Sequence, residues 1–255
     1  MVFVHGELED LKAWSAQETV FAQTYRVLVY SRRYHPPNPQ VDDDQTYSPK
    51  LHAEDLAALL LTLDLAPAHI VGSSYGAYTA LALARDHPEM VRSLVLAEPP
   101  IFPLLVGSEV GDPVRRAFYT SALDPARAAF AHGDSVAALR AFFDAVSGGS
   151  GRFDNLSAPA RADLLAHAFE MRREMLANRE QYYPAIPCAE LGRMTTPVLL
   201  VRGERSPPMF QLITDELARC LRSDTTVVIP GSGHPPHAGN PPFFNQMVLR
   251  YLASH

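Results

Sequence analysis

Residues that suit acyl-transfer chemistry stand at one junction of the chain, where a short apolar run gives way to a helical pattern. Residues 70–84 read IVGSSYGAYTALALA and place Ser74 between Gly72 and Gly76. A strand-to-helix turn this tight strains its central residue and leaves no room for a Cβ two positions before or after it. We therefore predict that Ser74 is held at the apex as a nucleophile, whereas Ser73 only lines the turn.

The general base for this serine is predicted to be His234. A serine hydroxyl is a poor nucleophile at neutral pH and needs a neighbouring imidazole to take its proton. Among ten histidines, His234 stands in GSGHPP, directly after the apolar run TTVVIP. The carboxyl ends of parallel strands meet at one edge of a sheet, so this loop should face the same edge as Ser74. His237, three residues on, is interpreted as a structural hydrogen-bonding residue.

The order of apolar runs and helical patterns predicts an α/β fold, a doubly wound and mostly parallel sheet. Six short, almost wholly apolar runs are typical of strands buried on both faces of such a sheet. They cover residues 2–5, 26–30, 69–72, 93–97, 197–202 and 225–230. Apolar residues at helical spacing predict the principal core helices at residues 51–65, 75–86, 209–221 and 242–253.

The alternation of strands and helices is interrupted in the middle of the chain. We predict a core formed by residues 1–98 and 191–255, with a helical insertion at residues 99–190. Helical patterns in the insertion cover residues 125–132, 136–146 and 159–178. Sheets of this kind bind ligands beyond the carboxyl ends of their strands, so we expect the insertion to form a lid there. A helical layer with no gating role is the alternative.

These motifs make the chain resemble the α/β-hydrolase family. The resemblance rests on VFVHG at the start, VGSSYGAYTALALA, PVLLVRGE, and VVIPGSGHPPHAGNP near the end. It implies the family's fold, a helical lid between its sixth and seventh strands, and the chain order nucleophile, acid, histidine. Relatives have about two strands before VFVHG, so we expect the N-terminal edge strands to be absent and the exposed sheet edge to favour a homodimer.

The acid that orients His234 has more than one candidate. Most of the family carries it after the seventh strand as Gly-x-x-Asp, but this segment reads GERSPP and puts Ser206 at that position. Glu98 ends the run SLVLA before two prolines, and it resembles the acid that certain haloalkane dehalogenases and lactone-cleaving hydrolases place after the sixth strand. A carboxylate there can accept the imidazole N–H and set its tautomer. We favour Glu98 over Glu204 and over a site without a close acid.

The resemblance also implies groups that stabilise an oxyanion and bind substrate. His5 and Gly6 match the family's HG turn, which assigns the backbone N–H groups of Glu7 and Tyr75 to the developing negative charge. A carboxylate at position 7 opposes that charge unless it turns away, so Leu8 is the alternative donor. The predicted substrate-binding residues are Leu8, Phe102, Met175 and His35.

A basic stretch, YSRRYHPPNP, follows the second predicted strand and carries Arg32, Arg33 and His35. These residues either contact an anionic group of the substrate or tie loops together. For the two arginines we favour the structural role.

Composition argues against several classes of partner. The net charge is −6 and only two of the 22 basic residues are lysines, so we expect neither nucleic acid nor an anionic membrane as partner. The sequence contains no apolar run long enough for a membrane span and no secretion signal, which predicts a cytoplasmic protein. Cys188 and Cys220 are accordingly interpreted as packed thiols. No clustered ligand set points to a metal, and no cofactor is implied.

The predicted function is that of a serine hydrolase acting on a small-molecule ester or lactone through Ser74, His234 and Glu98. A serine at position 74 disfavours an aspartate-based dehalogenase or epoxide hydrolase. Two alternatives keep the fold. The same site could perform C–C bond hydrolysis or cofactor-free oxygen chemistry, or the protein could bind a ligand without turnover.

Overall fold

The computed structural model describes residues 1–43, 47–222 and 225–255, and these form one six-stranded sheet flanked by helices. The strands are β1 (Val2–Val4), β2 (Leu28–Val29), β3 (Ala68–Ser73), β4 (Val91–Ala97), β5 (Val198–Gly203) and β6 (Thr226–Ile229). Their spatial order is β2-β1-β3-β4-β5-β6, and every neighbouring pair is parallel. The six predicted strands and the doubly wound α/β fold are confirmed.

Thirteen α-helices connect and cover these strands in the described part of the chain. The helices outside the insertion are α1 (Ser15–Phe21), α2 (Pro49–Thr62), α3 (Tyr75–Asp86), α11 (Pro208–Leu221), α12 (Pro236–Gly239) and α13 (Pro241–Leu252). Those inside it are α4 (Gly111–Phe118), α5 (Asp124–Ala131), α6 (Ser135–Val146), α7 (Ala158–Ala166), α8 (Ala168–Leu176), α9 (Arg179–Tyr182) and α10 (Cys188–Leu191). Short 3-10 helices span Leu11–Trp14, Pro88–Met90 and Phe102–Leu105, and a π-helical turn spans Tyr119–Leu123.

The two faces of the sheet bury two separate apolar clusters. Along β4, Leu94 and Leu96 pack with α2, α3 and α11, whereas Val95 and Ala97 pack with α1 and α13. This alternation follows from the two-residue period of a strand. Because both faces are covered, the central strands are apolar throughout, which is the pattern that made them recognisable in the sequence.

The insertion enters between β4 and β5 and contains helices but no strand. The pattern at residues 159–178 forms two helices rather than one, because the backbone leaves helical geometry at His167, with φ −92° and ψ 10°. Segment α6 agrees closely with the predicted helix at residues 136–146. The role of the insertion as a lid stays a prediction.

The two cysteines form a disulfide, so the interpretation of Cys188 and Cys220 as packed thiols is wrong. Cys188 begins α10 and Cys220 lies in the last turn of α11, with their Cα atoms 4.9 Å apart. The error came from the assumed compartment, since cytoplasmic proteins rarely keep disulfides. Cytoplasmic localisation therefore remains only a prediction.

Replacing both Cys188 and Cys220 by alanine is expected to lower the free energy of unfolding by about 2–4 kcal/mol, because the cross-link restricts the unfolded chain. Urea denaturation of the variant and the oxidised parent measures the difference. The parent unfolded in reductant is the control and should approach the variant. Rapid alkylation of both cysteines in the denatured, unreduced parent would contradict the pairing.

None of the helices formed by residues 1–43, 47–222 and 225–255 combines the length and the apolar character that a bilayer crossing requires.

Candidate active site

Ser74 occupies the sharp turn between β3 and α3. Its backbone has φ 50° and ψ −122°, a conformation that residues with a Cβ rarely adopt. Its N–H donates a 2.8 Å hydrogen bond to the Ala97 carbonyl at the end of β4, which ties the turn to the sheet. Ser74 is 7% exposed and lines a cavity at this edge of the sheet.

The two glycines around Ser74 are required by close backbone contacts. A Cβ on Gly76 would lie 2.2 Å from the Val4 carbonyl oxygen, where α3 crosses the end of β1. A Cβ on Gly72 would lie 2.5 Å from the Gly76 carbonyl oxygen. Both distances are far below van der Waals contact. Close backbone contacts therefore explain why glycine stands two residues before and two residues after Ser74, as predicted from the sequence.

His234 follows β6 and contacts Glu98 across the edge of the sheet. Its Nδ1 lies 2.7 Å from Glu98 Oε2, and a carboxylate oxygen there accepts the Nδ1 proton. The imidazole stacks on Phe210, with ring centroids 3.9 Å apart and an interplanar angle of 6°. These contacts fix the ring and leave Nε2 as the nitrogen that can accept a proton.

Glu98 is completely buried at the end of β4 and uses both carboxylate oxygens. While Oε2 meets His234, Oε1 accepts a 2.8 Å hydrogen bond from the Gly203 N–H. Its own N–H donates to the Val201 carbonyl at 3.1 Å, so β5 anchors the residue from two directions. A buried carboxylate with both oxygens bonded is rigidly placed.

Glu204, the alternative candidate for the acid that orients His234, has its carboxylate hydrogen-bonded to a different loop residue. Its Oε2 accepts a 2.8 Å hydrogen bond from the Gly231 N–H, on an exposed turn. Ser206, at the family's usual acid position, is buried. Of these candidates, Glu98 is the one whose carboxylate contacts His234.

A cavity of about 170 Å³ opens at Ser74 between the sheet edge and the insertion. The core side contributes Gly6, Glu7, Leu8, Glu9, Ser74 and His234. The insertion contributes Phe142, Phe143, Val146, Ser147 and Leu164. Ser74 and His234 therefore share one largely apolar space, as the pairing of nucleophile and base requires.

Of the four predicted substrate-binding residues, Leu8 lines this cavity and the other three do not. Phe102 is buried against Tyr183, with ring centroids 4.6 Å apart. Met175 lies in a separate depression next to Glu174, and His35 is fully buried. The structure does not support a contact of these three with substrate. Helical spacing identified buried side chains, but it did not identify what they face.

The insertion residues that do reach the cavity were harder to find. Phe142, Phe143 and Val146 share one face of α6, and this spacing is equally typical of a packed core helix.

Glu9 also lines the cavity, and it was not predicted from the sequence as a site residue. Its Oε2 accepts a 2.8 Å hydrogen bond from the Gly6 N–H, and this contact between residues three apart gave no separate signal in the sequence.

The loop after β1 borders the cavity with its backbone. Because Gly6 donates its N–H to Glu9, the neighbouring N–H groups of Glu7 and Leu8 are the candidates from this loop for an oxyanion. Tyr75, the first residue of α3, supplies the N–H next to Ser74. First-turn N–H groups of a helix have no partner within the helix and favour negative charge.

The Glu7 carboxylate is held by tyrosines of the insertion. Its Oε1 accepts hydrogen bonds from the hydroxyl groups of Tyr182 and Tyr183, the latter at 3.3 Å. These hydrogen bonds direct the Glu7 carboxylate toward the insertion. Such an orientation is what allows a glutamate at position 7 to offer its backbone N–H to an oxyanion. Burial raises the pKa of Glu7 to about 7.

Arg32 and Arg33 both make the structural contacts favoured from the sequence. Arg32 is buried and donates from Nη2 to the Gly6 carbonyl at 2.8 Å and from Nε to the His5 carbonyl at 3.1 Å. Arg33 Nε donates to Asp55 at 2.7 Å. His5 is also structural, because its Nε2 accepts the Arg32 backbone N–H at 2.9 Å. Arg32 therefore holds the loop that borders the cavity.

The raised pKa of Glu7 predicts a pH-dependent effect of Glu7→Gln. An acid whose pKa is higher in the folded than in the unfolded state stabilises the fold at low pH and loses that contribution as the pH rises through the folded value. We expect the stability of the variant relative to the parent to increase by about 1–3 kcal/mol between pH 5 and pH 8.5. Urea denaturation at both pH values measures it, and a constant difference would refute the shift.

A sequence profile described as the Alpha/beta hydrolase family matches residues 1–246. The 2-(acetamidomethylene)succinate hydrolase of Mesorhizobium japonicum is 25% identical over 252 residues, covering 92% of this chain and 81% of that protein. The uncharacterized hydrolase YraK of Bacillus subtilis is 32% identical over 110 residues, but the match covers only 43% of this chain and 41% of YraK. The solved structure of Est816, described as an N-acyl homoserine lactone degrading enzyme, superposes with a TM-score of 0.72 at 23% identity, covering 98% of this chain and 92% of Est816.

Proposed function

Because the chain belongs to the alpha/beta hydrolase family, we propose that it is a serine hydrolase that cleaves a carboxylic ester or lactone of a small, largely apolar substrate. The observation that carries the proposal is the 2.7 Å contact between His234 Nδ1 and Glu98, made at the edge of the cavity that Ser74 also lines. This is the arrangement that turns an imidazole into a base for a serine hydroxyl.

The reaction proceeds through an acyl-enzyme. His234 Nε2 takes the proton of Ser74 as Oγ attacks the carbonyl carbon, and the imidazolium is stabilised by Glu98. The N–H of Tyr75, with that of Glu7 or Leu8, stabilises the oxyanion. His234 returns the proton to the leaving alkoxide and then activates a water that releases the acid. The helical insertion acts as the lid that limits access of water and substrate.

The lining of the cavity favours neutral substrates over anionic ones. Phe142, Phe143 and Val146 provide an apolar wall, which suits a short hydrocarbon acyl group. Among the described residues that line the cavity, Glu7 and Glu9 are acidic and none is Lys or Arg. A carboxylate on the substrate would therefore lose its hydration in a lining that offers no cation to bind it.

A fluorophosphonate probe tests the reaction type directly. We expect rapid labelling of Ser74 in the parent, loss of labelling in His234→Ala, and turnover of at least some members of a panel of esters and lactones. Labelling without turnover of any ester or lactone would transfer support to C–C bond hydrolysis. No labelling of the folded protein would indicate a ligand-binding member without a nucleophile.

The Mesorhizobium japonicum relative is named as a hydrolase of a succinate derivative, which is a dicarboxylate. Dicarboxylates are therefore a second candidate substrate class. Two p-nitrophenyl esters of equal chain length separate the classes, the butyrate and the monoester of succinic acid. We expect kcat/KM for the neutral butyrate to be higher by about tenfold or more, which corresponds to about 1.4 kcal/mol of transition-state binding. A preference for the succinate ester would support the dicarboxylate class.

A further inference from the structure

A second cluster of polar side chains lies beneath the insertion, apart from the cavity at Ser74. It consists of His35 from the loop after β2, His167 between α7 and α8, and Glu170 in α8. One ligand atom of each residue lies within 4.8 Å of those of the other two, and the three residues are between 0% and 2% exposed. Buried side chains of these types are normally paired with one another or bound to a metal.

The separations within the cluster suit a small divalent cation. His35 Nδ1 lies 3.3 Å from Glu170 Oε1, and His167 Nδ1 contacts the same oxygen. Zinc bound tetrahedrally at its usual bond lengths holds its ligand atoms about 3.3–3.5 Å apart. The separation of His35 Nδ1 from Glu170 Oε1 matches this spacing, and imidazole with carboxylate is a ligand set that zinc accepts.

One carboxylate oxygen of this cluster also lacks a partner. Glu170 Oε2 accepts no hydrogen bond from the part of the chain that the structure describes. Glu174, one turn further along α8, approaches the other ring nitrogen of His35, with Oε1 3.8 Å from Nε2. Buried polar atoms almost always have a partner, so Glu170 Oε2 indicates that one is missing from the cluster.

The surroundings of His35 also resemble those of a metal-binding histidine. Its Nε2 lies 2.6 Å from the Tyr47 hydroxyl oxygen, so a metal on Nδ1 would leave the Nε2 proton to be donated to Tyr47. Such an outer hydrogen bond orients most histidines that bind metals. The Nδ1 atom now lies 2.8 Å from the Glu9 carbonyl oxygen, a contact that the metal would replace.

We propose that His35, His167 and Glu170 bind a divalent transition-metal ion, zinc by ligand type. The ligands are buried and come entirely from the protein, as in structural rather than catalytic zinc sites. None of the three ligands lines the cavity at Ser74. The ion would therefore fasten α8 of the insertion to the loop after β2, and it would take no part in the hydrolysis.

The metal content of the untagged protein tests the proposal. After incubation with Zn²⁺ and removal of free metal, we expect about one zinc ion per chain by elemental mass spectrometry. Removal with a chelator should lower the unfolding temperature, and adding Zn²⁺ should restore it. Zinc far below one equivalent, with an unfolding temperature that neither chelator nor Zn²⁺ changes, would overturn the site.

Two variants assign the binding to these residues. Glu170→Gln should weaken zinc affinity by about tenfold or more, whereas His132→Gln, which alters an exposed histidine at the end of α5, should leave it unchanged. Equal affinity in Glu170→Gln and the parent would overturn the assignment. If Glu170→Gln fails to fold, the metal content and chelator response of the parent still decide. These measurements do not depend on hydrolase activity, so the proposed function and the metal site can fail separately.

Discussion

Ser74→Ala is expected to abolish the hydrolysis of esters and lactones, with kcat falling by about 10⁴-fold or more. The hydroxyl of Ser74 is the atom that forms the acyl bond in the proposed reaction, and no neighbouring group replaces it. Alanine has the same Cβ, so it bears the same strain at φ 50° as the serine does. Steady-state kinetics and fluorophosphonate labelling measure the loss, and thermal unfolding should show a folded variant.

Ser73→Ala is the matched control, one residue away in the same turn. Its hydroxyl is buried and lacks a hydrogen-bond partner among the described residues. Removing it should leave kcat close to that of the parent and should not reduce stability. If Ser73→Ala abolished labelling while Ser74→Ala retained it, the nucleophile would be reassigned.

Glu98→Gln is expected to lower kcat by about 10³–10⁴-fold while the fold stays intact. The amide can keep a carbonyl oxygen toward the Gly203 N–H, so the anchor to β5 is preserved. Its NH₂ group then faces His234 Nδ1 and forces that nitrogen to become the acceptor. The proton moves to Nε2, which can no longer take the proton of Ser74. Kinetics of the purified variant measure the effect.

Glu204→Gln separates this effect from a general loss of negative charge. Glu204 was the rival acid, and its Oε2 accepts the Gly231 N–H on the surface, a hydrogen bond that glutamine can also accept. We expect near-parental kcat for Glu204→Gln. If Glu204→Gln lost most of its kcat while Glu98→Gln stayed active, Glu204 rather than Glu98 would be the acid that orients His234.

The residues proposed for catalysis were identifiable in the sequence because each has a local signature. Gly72 and Gly76 mark the turn at Ser74, and apolar runs end directly before Glu98 and just before His234. In a parallel sheet these strand ends meet at one edge, so reading the strands correctly also places the three side chains near each other. The 2.7 Å contact of Glu98 with His234 then favours it over Glu204.

Local sequence determined less about the insertion and the contacts between distant segments. The face of α6 that carries Phe142 and Val146 was recognisable as buried, but only the packing of the insertion over the sheet decided that it lines the cavity. The pairing of Cys188 with Cys220 depends on where α10 meets α11, and sequence separation carries no information about that.

The buried cluster shows the same division between sequence and structure. His167 and Glu170 are three residues apart, a spacing that places them near each other at the start of α8. His35 comes from a loop more than a hundred residues earlier, as the numbering shows. The sequence by itself determined the strands, the strained serine turn and the loops at the sheet edge, because these depend on short-range sterics and periodicity. Only the tertiary structure decided the cavity lining, the disulfide and the cluster at His35, because each arises where segments distant in sequence pack together.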